Sequence, residues 1–359
     1  MEVESQQQQP PATKNQISKH LRWFLMALNF AIMVIGTTGG PLLLRLYFLK
    51  GGSRKWLSSW LETGGWPLLF IPLAISYAHR RGGGGPTKLY LMTPPLFLAC
   101  TVLGLLVGLD DFLYAYGMSC LPVSTASILV STHLGFTALF AFLIVKQKFT
   151  SFSTNAVVLL SIGAVILGLH ASGDRPKGES NTLYYLGFAM TLAAAMLYGV
   201  VLPLVELTYA KAKQVVSYTL VMEMQLVMGF FATVFCTVGM LVNKDFQAIP
   251  KEARDFGLGE VRYYVLLVWS ALMWQFFYLG TVGAIFYGSA LLAGIIIAAM
   301  IPVTEVLAVI LFHEPFSGGK GVALALALWG FASYFYGELQ ESKKKKPAVE
   351  PGFLDSVDD

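Results

Sequence analysis

Apolar runs long enough to cross a bilayer follow one another through most of this 359-residue chain. A membrane-spanning helix needs about 20 mainly apolar residues, and glycine, proline and charged clusters divide the chain into about ten such runs. Only 13% of the residues are charged, against roughly 25% in soluble domains, which excludes a soluble enzyme. The pattern predicts an all-α, polytopic membrane protein with spans near 22–48, 64–78, 91–118, 123–145, 153–170, 182–204, 217–242, 261–285, 289–312 and 319–337.

The two ends of the chain are polar and differ from the apolar body. We predict disorder for residues 1–16 and for the tail 339–359. Much of the net charge of +4 sits in Lys343–Lys346, so no basic groove for nucleic acid can be drawn through the body. An even number of spans and this lysine cluster predict that both termini are cytosolic.

A weak internal repeat relates the two halves of the apolar body. The stretch from Thr125, TASILVSTHLGFTALFAFLIVKQKFTS, is matched 167 residues later by LAGIIIAAMIPVTEVLAVILFHEPFSG, and the matching polar ends are Phe149-Thr150 and Phe316-Ser317. Equivalent positions are separated by five spans, an odd number, so the copies enter the bilayer from opposite sides. This is the inverted-repeat plan of secondary transporters, with substrate bound between the halves. The predicted halves are residues 17–170 and 171–338.

Several motifs of other protein classes are missing from the sequence. Cys100, Cys120 and Cys236 are scattered in apolar runs, which indicates packing residues and neither disulfides nor a metal site. No phosphate-binding Gly-x-x-x-x-Gly-Lys-Ser/Thr loop occurs, and no cofactor is predicted. Lysine and arginine are absent from the predicted span centres, which favours a neutral or cationic substrate over a phosphorylated one.

Four segments carry a resemblance to a known family. They read GTTGGPLLLRLYFLKGGSRKWLSSWLETGGWPLLFIPL (36–73), GLDDFLYAYGMSCLPVSTASIL (108–129), VMEMQLVM (221–228) and IPVTEVLAVILFHEPFSGGKG (301–321). Together they resemble the plant purine permease family of the drug/metabolite transporter superfamily. The resemblance implies proton-coupled import of adenine and related bases, cytokinins among them, with the plasma membrane as the expected location. Other aromatic nitrogen heterocycles, such as alkaloids and vitamin-like compounds, remain alternatives, as do a membrane-embedded enzyme and a ten-helix receptor; the oligomeric state stays open.

Glu305 is the acidic residue placed deepest in an apolar run, MIPVTEVLAV. A charged side chain at the bilayer centre costs about 3 kcal/mol or more, so its presence predicts a role in carrying the coupled proton. Pro302 interrupts the helix nearby and frees backbone groups to line a cavity. The alternative is a protonated glutamate that only ties helices together. By contrast, Glu62, Asp110 and Asp111 are predicted to lie near span ends.

Amides beside aromatic residues are the other candidates for binding a flat heterocycle. Amides can pair with the edge of a ring and aromatic side chains can stack on its face; interhelical hydrogen bonds, core packing and contact with lipid are the alternatives. His133 could relay protons or bond a neighbouring helix. The predicted substrate-binding residues are Asn29, Trp66, Tyr114, Gln225, Trp274, Gln275, Tyr278, Thr304 and Glu305.

Overall fold

The computed structural model describes residues 19–344 except 83–87, 122–125, 127–128, 131, 171–180 and 313–317. The described residues form α-helices and one 3-10 turn and include no β-strand, in agreement with the all-α prediction. The predicted disorder of residues 1–16 and of the end of the tail lies outside the described residues. So do the start of the predicted span 123–145 and the polar end Phe316-Ser317.

The helices follow one another with short connections. They are α1 Lys19–Leu49, α2 Lys55–Thr63, a 3-10 turn Trp66–Leu69, α3 Phe70–Gly82, α4 Pro94–Cys120, α5 His133–Val145, α6 Ser151–His170, α7 Asn181–Lys211, α8 Tyr218–Val242, α9 Asp245–Asp255, α10 Glu260–Tyr287, α11 Ala290–Phe312 and α12 Gly318–Lys344. Helix α12 continues to Lys344, past the predicted end near residue 337.

Six stretches of the described helices are long and apolar enough to cross a membrane by length and composition: Trp23–Leu49, Pro94–Cys120, Tyr185–Lys211, Tyr218–Val242, Glu260–Tyr287 and Ala290–Phe312. Large apolar side chains such as Phe142, Val265 and Trp269 point outward and are exposed. In an all-helical bundle the backbone groups are satisfied within each helix, so such a surface suits lipid. The protein is therefore a multi-pass membrane protein.

The predicted second span, 64–78, corresponds to the 3-10 turn and α3, which together cover residues 66–82. A separate helix, α2, comes first, and the chain turns through Gly64 and Gly65 before the span begins. Pro67 sits in the first positions of the 3-10 turn, where its missing N–H costs nothing. Gly65 packs directly against the carbonyl of Ala271 on α10. Helix α2, assigned to a loop from sequence, is a buried helix that ends at this turn.

A short helix that the sequence did not predict, α9, caps the end of the bundle where α1 and α4 finish. Its Glu252 accepts hydrogen bonds from the hydroxyls of Tyr47 (2.5 Å) and Tyr263 (3.0 Å) and from the backbone N–H (3.2 Å) and hydroxyl (3.1 Å) of Ser53. Arg54 lies 3.8 Å from the same carboxylate and 3.4 Å from Asp245. We call these residues the α9 network: Tyr47, Ser53, Arg54, Asn243, Asp245, Glu252 and Tyr263.

Small residues let the principal helix pairs approach closely. Helix α1 packs most extensively on α10, α4 packs on α7 and α8, and α6 packs on α12. A methyl group at Gly36 would overlap the backbone of Phe277 in α10, and one at Gly104 would overlap the carbonyl of Met228 in α8. The close α1–α10 contact fixes the position of the α10 face that carries Trp274.

Candidate functional site

A buried cavity of about 100 Å³ lies among α1, α2, α4, α5, α7, α10 and α11. It is smaller than the roughly 300–1,000 Å³ of pockets for drug-sized ligands, a size that suits a small ring system. Its walls are mainly apolar and aromatic. The lining residues include Thr37, Glu62, Asp110, Asp111, Tyr114, His133, Tyr198, Trp274, Phe277 and Tyr278.

The aromatic walls come largely from one face of α10. Trp274, Phe277 and Tyr278 are three and four residues apart and so share that face. Trp274 stands edge-on to Tyr114 of α4, with ring centroids 6.0 Å apart and an interplanar angle of 74°. Phe277 stacks with Tyr198 of α7 at 5.9 Å and 27°. Of the predicted binding residues, Tyr114, Trp274 and Tyr278 are thus brought together.

Three carboxyl groups meet at one corner of the cavity, and we call Glu62, Asp110 and Asp111 the acid corner. The sequence placed them near span ends, and the structure adds that they are buried, with exposed fractions of 1%, 6% and 2%. The hydroxyl of Tyr278 donates to Oδ1 of Asp111 at 2.5 Å. The carboxyl groups of Glu62 and Asp111 lie within hydrogen-bonding reach of each other. Helix α2, which ends just before the turn at Gly64 and Gly65, brings Glu62 there.

Polar atoms of the cavity wall lack hydrogen-bond partners among the described residues. They are Trp274 Nε1, Glu62 Oε1, Asp110 Oδ1, Asp111 Oδ2, His133 Nε2 and the hydroxyl of Tyr198. A buried polar atom without a partner costs about 1–3 kcal/mol, and such atoms are rare in folded proteins. A bound molecule with both donor and acceptor atoms would satisfy them.

A smaller neighbouring pocket contains Glu305 and Thr304. It shares Tyr114 with the cavity and is also lined by Arg45. Glu305 is 4% exposed, and the hydroxyl of Thr304 donates to the carbonyl of Met300 at 2.9 Å. Arg45, which the sequence placed near a span end, is buried, with its guanidinium 5.6 Å from the ring centroid of Phe312.

The three predicted amides lie at separate places. Asn29 donates to the carbonyl of Leu25 (2.7 Å) and accepts from the hydroxyl of Tyr218 (3.1 Å), so it bonds α1 to α8. Gln225 lines a second small pocket, next to Tyr198 and Tyr278. Gln275 is buried against Gly65, away from its neighbour Trp274, because successive residues on a helix point about 100° apart.

Two further candidates have contacts that the sequence did not reveal. Trp66, at the start of the 3-10 turn, packs edge-on against Phe70 and against Phe230 of α8. The distances between ring centroids are 5.7 Å and 5.3 Å. His133 lines the cavity, with Nδ1 2.9 Å from the carbonyl of Val130. The acid corner was missed as a site, although Asp110 and Asp111 stand side by side in a long apolar run.

A family model described as purine nucleobase transmembrane transport matches residues 24–344. The chain belongs to the purine nucleobase transporter family. The resemblance drawn from the four sequence segments is thereby confirmed, and the permease is a membrane transporter and not an enzyme.

Relatives of the permease extend over most of its length. Purine permease 3 of Arabidopsis thaliana is 50% identical over 325 residues, which is 90% of this chain and 93% of the relative. Purine permease 2 of the same plant is 51% identical over 340 residues, covering 91% and 95%. A solved crystal structure of a protein 15% identical to the permease superimposes with a TM-score of 0.57, covering 88% of this chain and 98% of that one; this likeness concerns the fold alone.

Proposed function

We propose that the permease imports adenine and related purine bases, cytokinins among them, together with protons across the plasma membrane. The observation that carries the proposal is the buried cavity. Flat aromatic walls, an N–H donor without a partner and acceptor oxygens without partners surround a space of about 100 Å³. A purine ring has flat faces and an edge with both donors and acceptors, so it complements all three features. The Arabidopsis relatives named purine permeases support the same substrate class.

We also propose that about ten spans form a five-plus-five inverted repeat with both termini in the cytosol. Adding 167 to the bounds of α4 gives 261–287, and α10 covers Glu260–Tyr287. The same shift carries α6 to 318–337, within α12. The hydrogen-bonded residues Asp111 and Tyr278 are themselves 167 apart. The packing of α1 on α10 has its counterpart in that of α7 on α4, which supports the repeat.

Within the cavity we propose that Trp274, Tyr114 and Tyr278 contact the base, with Gln225 at its polar edge from the adjoining pocket. Asn29, Trp66, Gln275 and Thr304 remain predicted to affect uptake. Asn29 bonds α1 to α8, Trp66 packs on α8 and Gln275 packs on Gly65. The hydroxyl of Thr304 bonds within α11.

Glu305 is proposed as a proton-coupling residue, as predicted from its depth in the apolar run. A proton entering the cell gains about 2.3 kcal/mol per 100 mV of membrane potential. Since about 1.4 kcal/mol is a factor of ten, one proton could concentrate a neutral base roughly fifty-fold. Glu305 is buried and shares its pocket with Tyr114, a wall residue of the cavity, and this proximity supports a coupling role.

The test is uptake of radiolabelled adenine into yeast cells that lack their own base uptake and express the permease. We expect accumulation that is stronger at acidic external pH and abolished by a protonophore. Unlabelled cytokinin, alkaloid and vitamin-like competitors rank the substrates. Adenine accumulation that changes neither with external pH nor with the protonophore would refute proton coupling. Competition by the other heterocycles but not by unlabelled adenine would refute the substrate class.

Glu305→Gln tests the coupling residue. The amide keeps the shape and a hydrogen bond but cannot titrate, so uphill uptake should be lost while exchange of labelled for unlabelled adenine persists. The matched control is Glu223→Gln, a buried acid of α8 that accepts from the backbone N–H of Leu91 at 2.7 Å and does not line the cavity. Wild-type accumulation in Glu305→Gln would remove this residue from the coupling mechanism.

A further inference from the structure

The acid corner brings three carboxyl groups together at one place in the cavity. Glu62, Asp110 and Asp111 line the cavity, and no lysine or arginine is among its described lining residues. Isolated buried carboxylates are so costly that the group takes up a proton when no cation is present. The corner must therefore hold at least one proton when the cavity is empty.

The contact between Glu62 and Asp111 locates that proton. Two ionised carboxylates have only acceptor atoms, so a hydrogen bond between them requires a proton on one of them. Carboxyl pairs at this range share one proton, because both cannot ionise together. Asp111 Oδ1 already accepts from Tyr278 at 2.5 Å, while Asp111 Oδ2 and Glu62 Oε1 have no conventional donor in the described structure. The shared proton belongs between Glu62 and Asp111.

A second, independent observation points to a ligand at the same place. Trp274 is 6% exposed and lines the cavity, and its Nε1 donates to nothing in the described structure. An indole N–H can only donate, so its missing partner is an acceptor atom. The proton held by the acid corner is a second donor. Two donors lining one cavity complement a heterocycle that offers two ring nitrogens with lone pairs.

We propose that the Glu62–Asp111 pair is a proton-binding site of this permease, separate from Glu305. When the base binds, the proton turns from the hydrogen bond between the two carboxyl groups and is donated to a ring nitrogen of the base. The inference rests on the proposed proton-coupled uptake. No covalent bond of the base changes: the proton comes from the outer solution, stays on a carboxyl oxygen while the base is bound, and leaves to the cytosol. Protonation and base binding then strengthen each other by the same factor.

Other titratable groups face the acid corner, and each is a competitor for this role. Tyrosine and cysteine are ordinarily neutral near pH 7, and Tyr278 already acts as a donor to Asp111. Histidine has the ordinary pKa nearest neutrality among these residue types, so His133 is tested separately. The groups are Asp110 and Tyr114 on α4, His133 on α5, Tyr198 on α7, Cys236 on α8 and Tyr278 on α10, with Arg45 and Glu305 in the neighbouring pocket.

The experiment measures binding of radiolabelled adenine to the purified full-length permease between pH 5.5 and 7.5. Wild-type affinity should fall at least tenfold over this range. Glu62→Gln and Asp111→Asn replace an acid by an amide that still donates but cannot titrate. Their affinity should stay within about threefold of the wild-type value at pH 5.5 and change less than twofold with pH. In cells they should exchange base and fail to accumulate it.

Controls separate this inference from the proposed function. Glu223→Gln should keep the wild-type pH profile. A wild-type profile that is itself flat would contradict proton coupling and the inference with it. The loss of adenine affinity with rising pH could persist in both Glu62→Gln and Asp111→Asn but disappear in Glu305→Gln or His133→Gln. That result would leave proton coupling intact and overturn the inference.

Tyr278→Phe keeps the test decisive if an amide variant does not fold. The hydrogen bond from Tyr278 stabilises the ionised form of Asp111. Without that bond the pair should hold its proton more tightly. The pH at which adenine binding is half-maximal should then move upward. An unmoved midpoint in Tyr278→Phe would contradict the proposal.

Discussion

Two sets of buried carboxyl groups in this permease differ in how they are satisfied. In the α9 network, Glu252 accepts from two tyrosine hydroxyls and from Ser53, and Asp245 accepts from Asn243 (2.8 Å) and Arg54. Burial raises the pKa of Asp245, and the bonds from Asn243 and Arg54 offset part of that shift. In the acid corner, the described neighbours include one conventional donor, Tyr278, for three carboxyl groups.

The difference separates an acid that holds the fold together from one that is available to a ligand. The donors to Glu252 lie on α1 (Tyr47), on the loop after it (Ser53) and on α10 (Tyr263). Its carboxylate therefore joins these three parts of the chain to α9. In the acid corner, the bond from Tyr278 to Asp111 connects α10 to α4, and other carboxyl oxygens face the cavity without a donor among the described residues. Substitutions should therefore lower stability in the first set and alter transport in the second.

The largest expected effect is on stability, in Glu252→Ala. The change leaves the hydroxyls of Tyr47 and Tyr263 without their acceptor and removes one of the two carboxylates beside Arg54. Removing one partner of a buried charged group costs about 3–5 kcal/mol. We expect a clear fall in the temperature at which the detergent-solubilised protein loses its monodisperse chromatographic peak. Glu260→Ala, at an exposed acid on α10, is the control. Equal melting temperatures for Glu252→Ala and the wild type would contradict the structural role assigned to the α9 network.

Asp110→Asn should show the opposite pattern. It removes a buried carboxyl whose Oδ1 has no donor, so stability should be unchanged or slightly higher. Adenine accumulation should fall at least tenfold, because the cavity loses an acceptor oxygen and the charge beside the Glu62–Asp111 pair. Parallel thermal and uptake measurements check both halves. Loss of stability with normal uptake would place Asp110 with the structural acids.

A smaller effect is expected from Trp274→Phe. Phenylalanine keeps an aromatic wall and removes the N–H, and one hydrogen bond contributes about 0.5–1.5 kcal/mol. The KM for adenine uptake should rise about two- to tenfold with little change in surface abundance. Trp269→Phe is the matched control, since Trp269 lies on the same helix and is exposed on the outer surface. An unchanged KM in Trp274→Phe would remove this N–H from the binding model.

The smallest effect should come from Ser53→Ala. One hydroxyl bond of 3.1 Å to Glu252 is lost, while Tyr47, Tyr263 and the Ser53 backbone still donate to it. We expect a stability loss of about 0.5–1 kcal/mol, measured as a small shift of the same melting profile, with a normal pH dependence of uptake. A loss as large as that of Glu252→Ala would mean that the network depends on this one donor.

The residue pattern predicted the long spans well, because their apolar runs are continuous and each run forms a helix without help from distant parts of the chain. It did not predict α2 and α9, which are short and polar on one side and are stabilised by contacts with distant helices. The depth of Trp274 and Tyr278 within α10 was readable, and both line the cavity. Their neighbour Gln275 shares that depth but faces Gly65, and only helix packing shows which face meets the cavity.

By itself the sequence determined a helical membrane protein, its membership of the purine nucleobase transporter family and the aromatic residues of its cavity. These follow from local hydrophobicity and from motifs that are continuous in the chain. The tertiary structure alone decided that Glu62 meets Asp111. The two residues lie on different helices, and their contact depends on the break at Gly64–Gly65, which turns α2 so that an acid assigned to a span end is buried beside the cavity.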